Sequence, residues 1–186
     1  MKRAFDIVLS IILIAIFFGI FILIFIAVRL TSKGPGVYWS DRIGLHSKIF
    51  KMPKFRSMLI NTPNVATHLL ENPEEYISPI GRFLRRYSLD ELPQLISVLK
   101  GDMSFVGPRP ALYNQKDLIE LRTQYGVDKV LPGITGWAQV RGRDDLSLPD
   151  KVALDKEYIK YKSFWFDIKI LLLTFLVIIK RSGVSH

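Results

Sequence analysis

Hydrophobic and polar positions divide the chain into one continuous apolar segment near the N-terminus and a longer mixed region. Ile7–Val28 is a run of 22 residues without a charge, with Ser10 and Gly19 the only residues outside the apolar set. At 1.5 Å per residue, such a helix is long enough to cross a hydrocarbon core of about 30 Å. Basic residues lie on both flanks, so charge asymmetry does not assign an orientation. The pattern favours a single spanning helix, and a re-entrant helix that bends near Gly19 stays open.

The mixed region predicts short helices and strands. Leu92, Leu95, Ile96 and Leu99 recur at helical spacing, which predicts an amphipathic helix over Asp90–Lys100. The run Ser88–Glu91 matches a capping box that would begin this helix. Further helices are expected over Gly81–Tyr87, Tyr113–Tyr125 and Pro149–Tyr161, and a strand-like stretch at Val37–Trp39. Lys48–Met58 alternates basic and apolar residues, which suits an edge strand or an interfacial segment. Turns around a short strand are expected in Leu131–Arg143, and a polar excursion around one short helix in Asn61–Pro79.

The C-terminal stretch Phe164–Ile179 is apolar apart from Asp167 and Lys169. Its uninterrupted part, Ile170–Ile179, is too short to span a membrane. It predicts either a helix lying in the membrane interface or a buried core helix. The predicted fold class is therefore α+β and mostly helical, with one domain and a membrane-associated segment at the N-terminus.

Composition narrows the classes of partner. The chain carries 26 Lys and Arg against 17 Asp and Glu, a net charge of +9, with 49% hydrophobic residues and a mean hydropathy of +0.22. A basic and apolar chain favours anionic partners at a lipid surface. The absence of cysteine excludes disulfides, thiolate metal sites and a cysteine nucleophile. No Walker, GxGxxG, GxSxG, zinc-finger or RRM signature occurs, so no nucleic-acid partner is predicted.

The adjacent acids Asp90 and Glu91 are the first candidates for chemistry. Acids in a first helical turn often only complement the helix dipole. Alternatively, one carboxylate could coordinate Mg²⁺ while the other attacks phosphorus, since Asp is a competent covalent nucleophile. Arg85 and Arg86 lie just upstream and would clamp a diphosphate or face solvent and lipid headgroups.

Three other basic positions are candidates for anion binding. Arg109 lies between Pro108 and Pro110, which restrict its backbone and fix the direction of its side chain. Lys54 would contact a phosphate or extend to the membrane interface. Arg141, and Arg143 close to it, follow Trp137 and would grip a phosphate or a base or be merely exposed.

Five segments, in order along nearly the whole chain, carry a family resemblance. They are Lys2–Asp6, Lys54–Met58, Ser88–Leu95, Leu99–Pro110 and Pro132–Val140. Together they resemble the bacterial sugar transferase family, the monotopic polyprenyl-phosphate phosphoglycosyl transferases. The resemblance implies an enzyme that moves a sugar-1-phosphate from a UDP-sugar to undecaprenyl phosphate and releases UMP. The pathway it implies is the first step of surface-glycan or glycoprotein glycan synthesis.

The resemblance also assigns roles to residues. Asp90 is the implied nucleophile, which would form a covalent phosphosugar intermediate in a ping-pong mechanism. Glu91, with Asp90 beside it, is implied to hold Mg²⁺. Lys54, Arg85 and Arg109 are the implied phosphate or nucleotide contacts, and we add Arg141 as a further substrate-binding candidate.

Topology is the point at which this chain departs from the family pattern. The resemblance implies a re-entrant membrane helix within residues 1–33 and a catalytic domain, residues 34–186, on the cytoplasmic face of the bacterial inner membrane, with an interfacial helix over about 163–181. Family members have a helix-breaking Ser-Pro pair, where this chain has Phe18-Gly19. Glycine permits a bend but enforces it less than proline.

The sequence leaves the sugar open. By family analogy we expect an N-acetylhexosamine such as GalNAc or a diacetamido sugar, with a hexose also possible. Membrane phospholipid is the remaining predicted partner, and the sequence predicts no oligomeric state. The competing hypotheses are a non-catalytic, basic, membrane-anchored module that binds lipid or a partner, and a phospho-Asp phosphatase that would release inorganic phosphate.

Overall fold

The first element is one long apolar helix, α1 (Lys2–Thr31). The structure is a computed structural model that describes residues 1–63, 65, 71–142 and 145–180. Within these residues, α1 is the one helix long and apolar enough to cross a membrane by length and composition. The helix continues through Gly19, because glycine, unlike proline, keeps the N–H that the helical ladder needs.

One face of α1 packs along the rest of the molecule. Near its start, Asp6 is buried and accepts a hydrogen bond from the backbone N–H of Phe105 (3.3 Å). Near its end, Ile24 and Val28 are buried in a small core with Phe55 and Leu84. The opposite face is exposed along most of its length, with large apolar side chains at Val8, Ile11, Ile12, Ile16, Leu23, Ile26 and Leu30. The domain therefore contacts both ends of α1.

Two strands follow, β1 (Val37–Ile43) and β2 (Ile49–Phe55), and they pair in an antiparallel hairpin. This confirms the predicted strands, although β1 is longer than its predicted stretch. In the hairpin register, Tyr38 lies opposite Lys54 and Arg42 lies opposite Phe50. The hairpin carries two cationic side chains on one face, since side chains of a strand alternate and directly paired residues share a face.

The next helices confirm one prediction and correct another. Helix α2 (Gly81–Arg86) forms as predicted, whereas α3 runs over Gln94–Lys100 and begins four residues later than expected. The predicted capping box at Ser88–Glu91 does not form: the segment Leu89–Glu91 is a single 3₁₀ turn, and Ser88 has a left-handed backbone (φ 55°) with no side-chain cap. Pro93 explains the difference, because it has no N–H to continue an α-helical ladder from the preceding turn.

Two three-residue strands, β3 (Ser104–Val106) and β4 (Gly133–Thr135), pair in parallel and hold the loop that follows β3. Glycines allow this approach. A Cβ on Gly133 would lie 2.1 Å from the backbone nitrogen of Gly107, and one on Gly136 would lie 2.1 Å from the Gly107 carbonyl oxygen. The two loops contact each other through backbone atoms at these points, which leaves no room for side chains.

The described residues after β3 include the α-helices α4 (Lys116–Gln124), α5 (Trp137–Arg141), α6 (Leu148–Tyr161) and α7 (Phe164–Lys180). Helices α4, α6 and α7 confirm the predicted ones, whereas the short α5 was not predicted. On α7, Ile170 is fully buried while Trp165, Leu172 and Phe175 are mostly exposed, so the helix has one core face and one exposed apolar face. The described part is thus a mostly helical α+β domain with an apolar N-terminal helix.

Some predictions fall on residues outside the described ranges. The polar excursion over Asn61–Pro79 contains the described 3₁₀ turn Pro73–Tyr76, but residues 64 and 66–70 lie outside them. Arg143 and residue 181, the last of the predicted interfacial helix, also lie outside.

Candidate active site

The fold brings together residues from three separate segments. Lys54 lies on β2, Asp90 and Glu91 lie in the 3₁₀ turn before α3, and Arg109 lies in the loop after β3. Glu91 connects them: its Oε1 accepts from Lys54 Nζ and from Arg109 Nη2, each at 2.8 Å. The structure therefore assembles four of the six predicted site residues around one acidic turn.

Glu91 is held as a carboxylate. Burial on its own would raise its pKa, but the opposing effects of Arg109 and Lys54, through charge and hydrogen bonds, hold the pKa of Glu91 well below its usual value. Burial lowers the pKa of Lys54, and the charge of Glu91 opposes that shift. The Lys54–Glu91–Arg109 ion pairs thus join the hairpin to the loop after β3.

Asp90 has a different environment from its neighbour. Its side chain is buried, with 7% of the residue exposed, and among the described residues its carboxylate makes no hydrogen bond or ion pair. Burial raises the pKa of Asp90 to about 6, with Lys54 opposing the shift. Asp90 is therefore mostly ionised at neutral pH, and no described residue forms a hydrogen bond or ion pair with its carboxylate.

Arg85, at the C-terminal end of α2, contributes to the same electrostatic environment. Its charge lowers the pKa of Asp90, in the same direction as the charge of Arg109. The left-handed backbone at Ser88 turns the chain sharply between Arg85 and Asp90. A non-glycine residue in this conformation is uncommon and costs of the order of 1 kcal/mol, so the surrounding packing must hold the turn.

The loop Pro108–Pro110 is held by two arginines that sequence reasoning missed. Arg122 on α4 donates from Nη1 to the Arg109 carbonyl (2.7 Å), and it forms a buried ion pair with Asp155 on α6 (2.6 Å). Arg42 on β1 donates from Nη1 to the Pro110 carbonyl (3.1 Å). Neither arginine stands in a distinctive local motif, and the signal that identifies them is tertiary contact with the loop.

Arg141 is placed differently from the other candidates. Its guanidinium lies over the Trp137 ring, 4.4 Å from the ring centroid, and the residue is exposed. In the part of the chain that the structure describes, Arg141 is absent from the ion pairs of Glu91 and from the charges that shift the pKa of Asp90. The structure does not bring it into the cluster around the acidic turn.

The donors present fit a magnesium ion that shares its coordination with a substrate. The described residues hold no group of three or more His, Cys, Asp or Glu side chains that could bind a metal alone. Mg²⁺ in phosphoryl-transfer sites commonly takes one or two carboxylates together with waters and substrate phosphates. Among the described residues, no hydrogen bond or ion pair occupies the carboxylate oxygens of Asp90, and both ion pairs of Glu91 use its Oε1.

Chemically, the described part of the site combines several cations with an ionised carboxylate that makes no hydrogen bond or ion pair there, and it lies beside a helix with a long exposed apolar face. Such an arrangement suits covalent chemistry on a phosphate group, because cations neutralise the phosphate charge that would repel an attacking carboxylate. These features suit a site that handles phosphate groups, in a domain that carries one long apolar helix.

The family comparison agrees with this class. The model of the family described as bacterial sugar transferase matches residues 1–181, and the chain belongs to this family.

Three curated relatives illustrate the family. The chain is 44% identical to the UDP-glucose:undecaprenyl-phosphate glucose-1-phosphate transferase of Escherichia coli K12 over 94% of this chain and 39% of that protein. It is 40% identical to the undecaprenyl-phosphate galactose phosphotransferase of Salmonella typhimurium over 98% and 41%. It is 33% identical to the UDP-N-acetylgalactosamine-undecaprenyl-phosphate N-acetylgalactosaminephosphotransferase of Aeromonas hydrophila over 98% and 44%. The chain thus spans about two-fifths of the length of these relatives.

Proposed function

We propose that this protein transfers a sugar-1-phosphate from a UDP-sugar to undecaprenyl phosphate and releases UMP. The observation that carries the proposal is the contrast within the acidic turn: Glu91 is fixed by Lys54 and Arg109, whereas Asp90, beside the same cations, is ionised and unpartnered among the described residues. The names of the relatives support the reaction class, since each names a sugar phosphotransferase that acts on undecaprenyl phosphate.

The mechanism that this site supports has two displacements at one phosphorus. A carboxylate oxygen of Asp90 attacks the phosphorus that bears the sugar, and the bond from that phosphorus to the bridging oxygen of the diphosphate breaks, so that UMP leaves with the bridging oxygen and its electron pair. A phosphate oxygen of the lipid then attacks the same phosphorus, and the bond to Asp90 breaks, which regenerates the carboxylate. Lys54, Arg85 and Arg109 bind the phosphate oxygens, and Glu91 holds two of these cations in position.

Magnesium belongs to the proposal as a cofactor. Asp90 and Glu91 are the residues that would hold it, and when bound it supplies charge neutralisation on the diphosphate. Their environments suit different roles: the ion pairs of Glu91 suit a supporting ligand, whereas Asp90, whose carboxylate no described residue engages, suits a nucleophile.

We place the enzyme at a membrane through α1 and the exposed apolar face of α7, with its catalytic domain on the cytoplasmic face, where UDP-sugars are available. The re-entrant topology also remains part of the proposal. The contact of the domain with both ends of α1 argues against a helix that simply crosses the membrane, because such a helix would carry one of its ends away from the domain. Since α1 is unbroken at Gly19, a return to the same side requires the helix to curve without a break at that residue.

The donor sugar is best resolved by experiment, because the names of the three relatives give glucose, galactose and N-acetylgalactosamine. An N-acetylhexosamine or diacetamido sugar remains our first expectation and a hexose the second. We place the reaction at the first step of a surface-glycan or glycoprotein glycan pathway, because the product is a lipid-linked sugar that further transferases would extend.

The direct test measures UMP release by full-length protein in membranes, with undecaprenyl phosphate, Mg²⁺ and a panel of UDP-sugars. We expect release with one class of sugar, loss of release in EDTA, and a covalent sugar-phosphate adduct in the absence of lipid acceptor. Asp90→Asn is expected to abolish both turnover and adduct, because the amide is a poor nucleophile.

The control for this test is Asp117→Asn, which removes one acid from the first turn of the largely exposed helix α4 and is expected to behave as wild type. Normal turnover by Asp90→Asn would refute the assigned nucleophile. Absence of UMP release with every sugar would instead favour a non-catalytic lipid-binding module, and release of inorganic phosphate would favour a phosphatase.

A further inference from the structure

Arg42 reaches the site from the same hairpin face as Lys54. Residues 38, 40 and 42 of β1 share one face of the hairpin, and in the antiparallel register Tyr38 pairs with Lys54 and Ser40 with Met52. Met52 is almost completely buried in the main core, so this face of the hairpin is turned toward the domain. The hairpin therefore presents two cations toward the domain, one near each end of the face.

The contacts of Arg42 are with neutral groups. Its Nε donates to Ser40 Oγ (3.0 Å) and its Nη1 donates to the Pro110 carbonyl (3.1 Å). Among the described residues, no carboxylate lies within ion-pair distance of it. Burial, together with the like charge of Arg109, lowers the pKa of Arg42 to about 10, and Glu91 only partly opposes this shift. The guanidinium remains charged at neutral pH, and the described residues place no carboxylate in an ion pair with it.

The charges around the acidic turn indicate which kind of ligand could pair with the Arg42 guanidinium. The positive charges of Lys54, Arg85 and Arg109 attract the Asp90 carboxylate and oppose the rise in its pKa. The Glu91 carboxylate likewise attracts the Arg42 guanidinium. Among the described residues whose charges act on this turn, four are cationic and two are carboxylates. A bound diphosphate or phosphate would supply the negative charge that the site lacks, and a half-desolvated guanidinium is well suited to bind it.

We propose that Arg42 is a further substrate-binding residue that contacts a phosphate group in the active site. The inference rests on the proposed transfer reaction and adds a residue to it. The chemistry recognised is a phosphate oxygen, and its source is either the diphosphate of the UDP-sugar or the phosphate of the lipid acceptor. Arg42 would also hold the Pro110 carbonyl, which keeps its guanidinium beside the loop that carries Arg109.

A two-substrate kinetic experiment separates the two sources. Because each half of a ping-pong reaction has its own kcat/KM, the donor value reports the first displacement and the acceptor value the second. We expect Arg42→Gln to lower kcat/KM for one substrate by roughly 10- to 100-fold, the range for loss of a charged hydrogen bond. If only kcat/KM for the UDP-sugar falls, Arg42 contacts the diphosphate of the donor. If only kcat/KM for undecaprenyl phosphate falls, Arg42 contacts the phosphate of the lipid acceptor.

The same hairpin offers a matched control. Lys51 pairs with Asp41 and lies mostly exposed on the opposite face of the hairpin, so Lys51→Gln removes one positive charge without touching the site. It should leave both kcat/KM values within about twofold of wild type, since exposed ion pairs contribute little. Arg42→Lys keeps the charge and loses the planar fork, and we expect it to recover a large part of the loss seen in Arg42→Gln.

Other outcomes would overturn the inference. If Arg42→Gln matches Lys51→Gln in both kcat/KM values, Arg42 does not bind substrate. If Arg42→Gln and Arg42→Lys lose both values equally, with a lowered unfolding temperature, Arg42 only holds the Pro110 loop. Active wild-type protein in these assays means that either result refutes Arg42 alone, whereas inactive wild-type protein refutes the proposed function itself.

Discussion

At the scale of single residues, two neighbouring carboxylates acquire different chemistry from their surroundings. Glu91 lies between Lys54 and Arg109, and their charges hold its pKa well below its usual value. Asp90 is buried and has no hydrogen-bond or ion-pair partner among the described residues, and burial raises its pKa to about 6. Burial and ion pairing shift a carboxylate pKa in opposite directions. Glu91 therefore serves to hold two cations in place, whereas the Asp90 carboxylate can react or bind a ligand.

The contact between Arg122 and the Pro108–Pro110 loop leads to a prediction in which effects on stability and on activity separate. Arg122→Met leaves Asp155 buried without its partner, and we expect the free energy of unfolding to fall by about 3–5 kcal/mol. The double variant Arg122→Met/Asp155→Leu removes both charges and should regain most of that stability. Turnover should stay low in both, since the Arg109 carbonyl has lost its donor. The measurements are chemical denaturation in detergent and UMP release.

Recovery of full turnover in that double variant would contradict a positioning role and leave Arg122 as a structural partner of Asp155 alone. Asp117→Asn, on the same helix and without an ion pair among the described salt bridges, serves as the control for both measurements.

Part of the site could be predicted from the sequence because its motifs are local. The Asp90-Glu91 pair and the Pro108–Pro110 loop each combine unusual neighbours within a few positions, and the structure places Glu91 against Arg109. Arg42 and Arg122 escaped detection because each is an arginine among many, and its significance arises only when distant segments meet. Arg42 contacts a loop 68 positions away along the chain.

At the scale of elements, β3 and β4 depend on glycine contacts rather than on length. Gly133→Ala would place a methyl group 2.1 Å from the backbone of Gly107, so the loop leading to Arg109 must move. We expect a loss of about 1–3 kcal/mol in the free energy of unfolding, typical of overpacking, together with reduced turnover. Thermal unfolding and UMP release measure the two effects.

Gly19→Ala is the matched control for this glycine, because no atom lies within 4 Å of its would-be Cβ and the residue lies inside α1. It should be neutral or slightly stabilising, as alanine favours a helix. Equal effects of the two substitutions would show that β3 and β4 tolerate a side chain at their contact.

Element prediction succeeded where local periodicity decides and failed where a single residue interrupts it. The spacing of Leu92, Leu95, Ile96 and Leu99 gave the helix correctly, but Pro93 moved its start to Gln94. The parallel pairing of β3 with β4 was beyond a local pattern, because three-residue strands carry no detectable alternation and their partners are far apart in the chain.

At the scale of the whole molecule, α1 is part of the domain's packing as well as an apolar segment. Its packed face contributes to two cores, the smaller one with Phe55 and Leu84 and the larger one that contains Met52, Leu95 and Trp137. A helix surrounded only by lipid would make no such contacts. The position of α1 is therefore fixed by the protein as well as by its apolar composition.

Neighbouring residues on α1 test this packing. Ile24 is 7% exposed and Leu23 is 68% exposed, although both are large aliphatic side chains. Ile24→Ala should lower the free energy of unfolding in detergent by about 2–5 kcal/mol, the cost of a cavity in a core. Leu23→Ala should change it by less than about 0.5 kcal/mol. Equal values for the two variants would mean that α1 is not packed on the domain in solution.

The packed face of α1 has a practical consequence for anyone who wants a water-soluble version of the protein. Deleting the helix would expose Phe55 and Leu84, which α1 covers. One exposed apolar surface would then replace another. Replacing only the exposed side chains of α1, such as Ile11, Ile16 and Leu23, with polar residues would keep its packed face intact. Redesign of the outer half of the helix, rather than truncation, is the rational route to a fragment that crystallises without lipid.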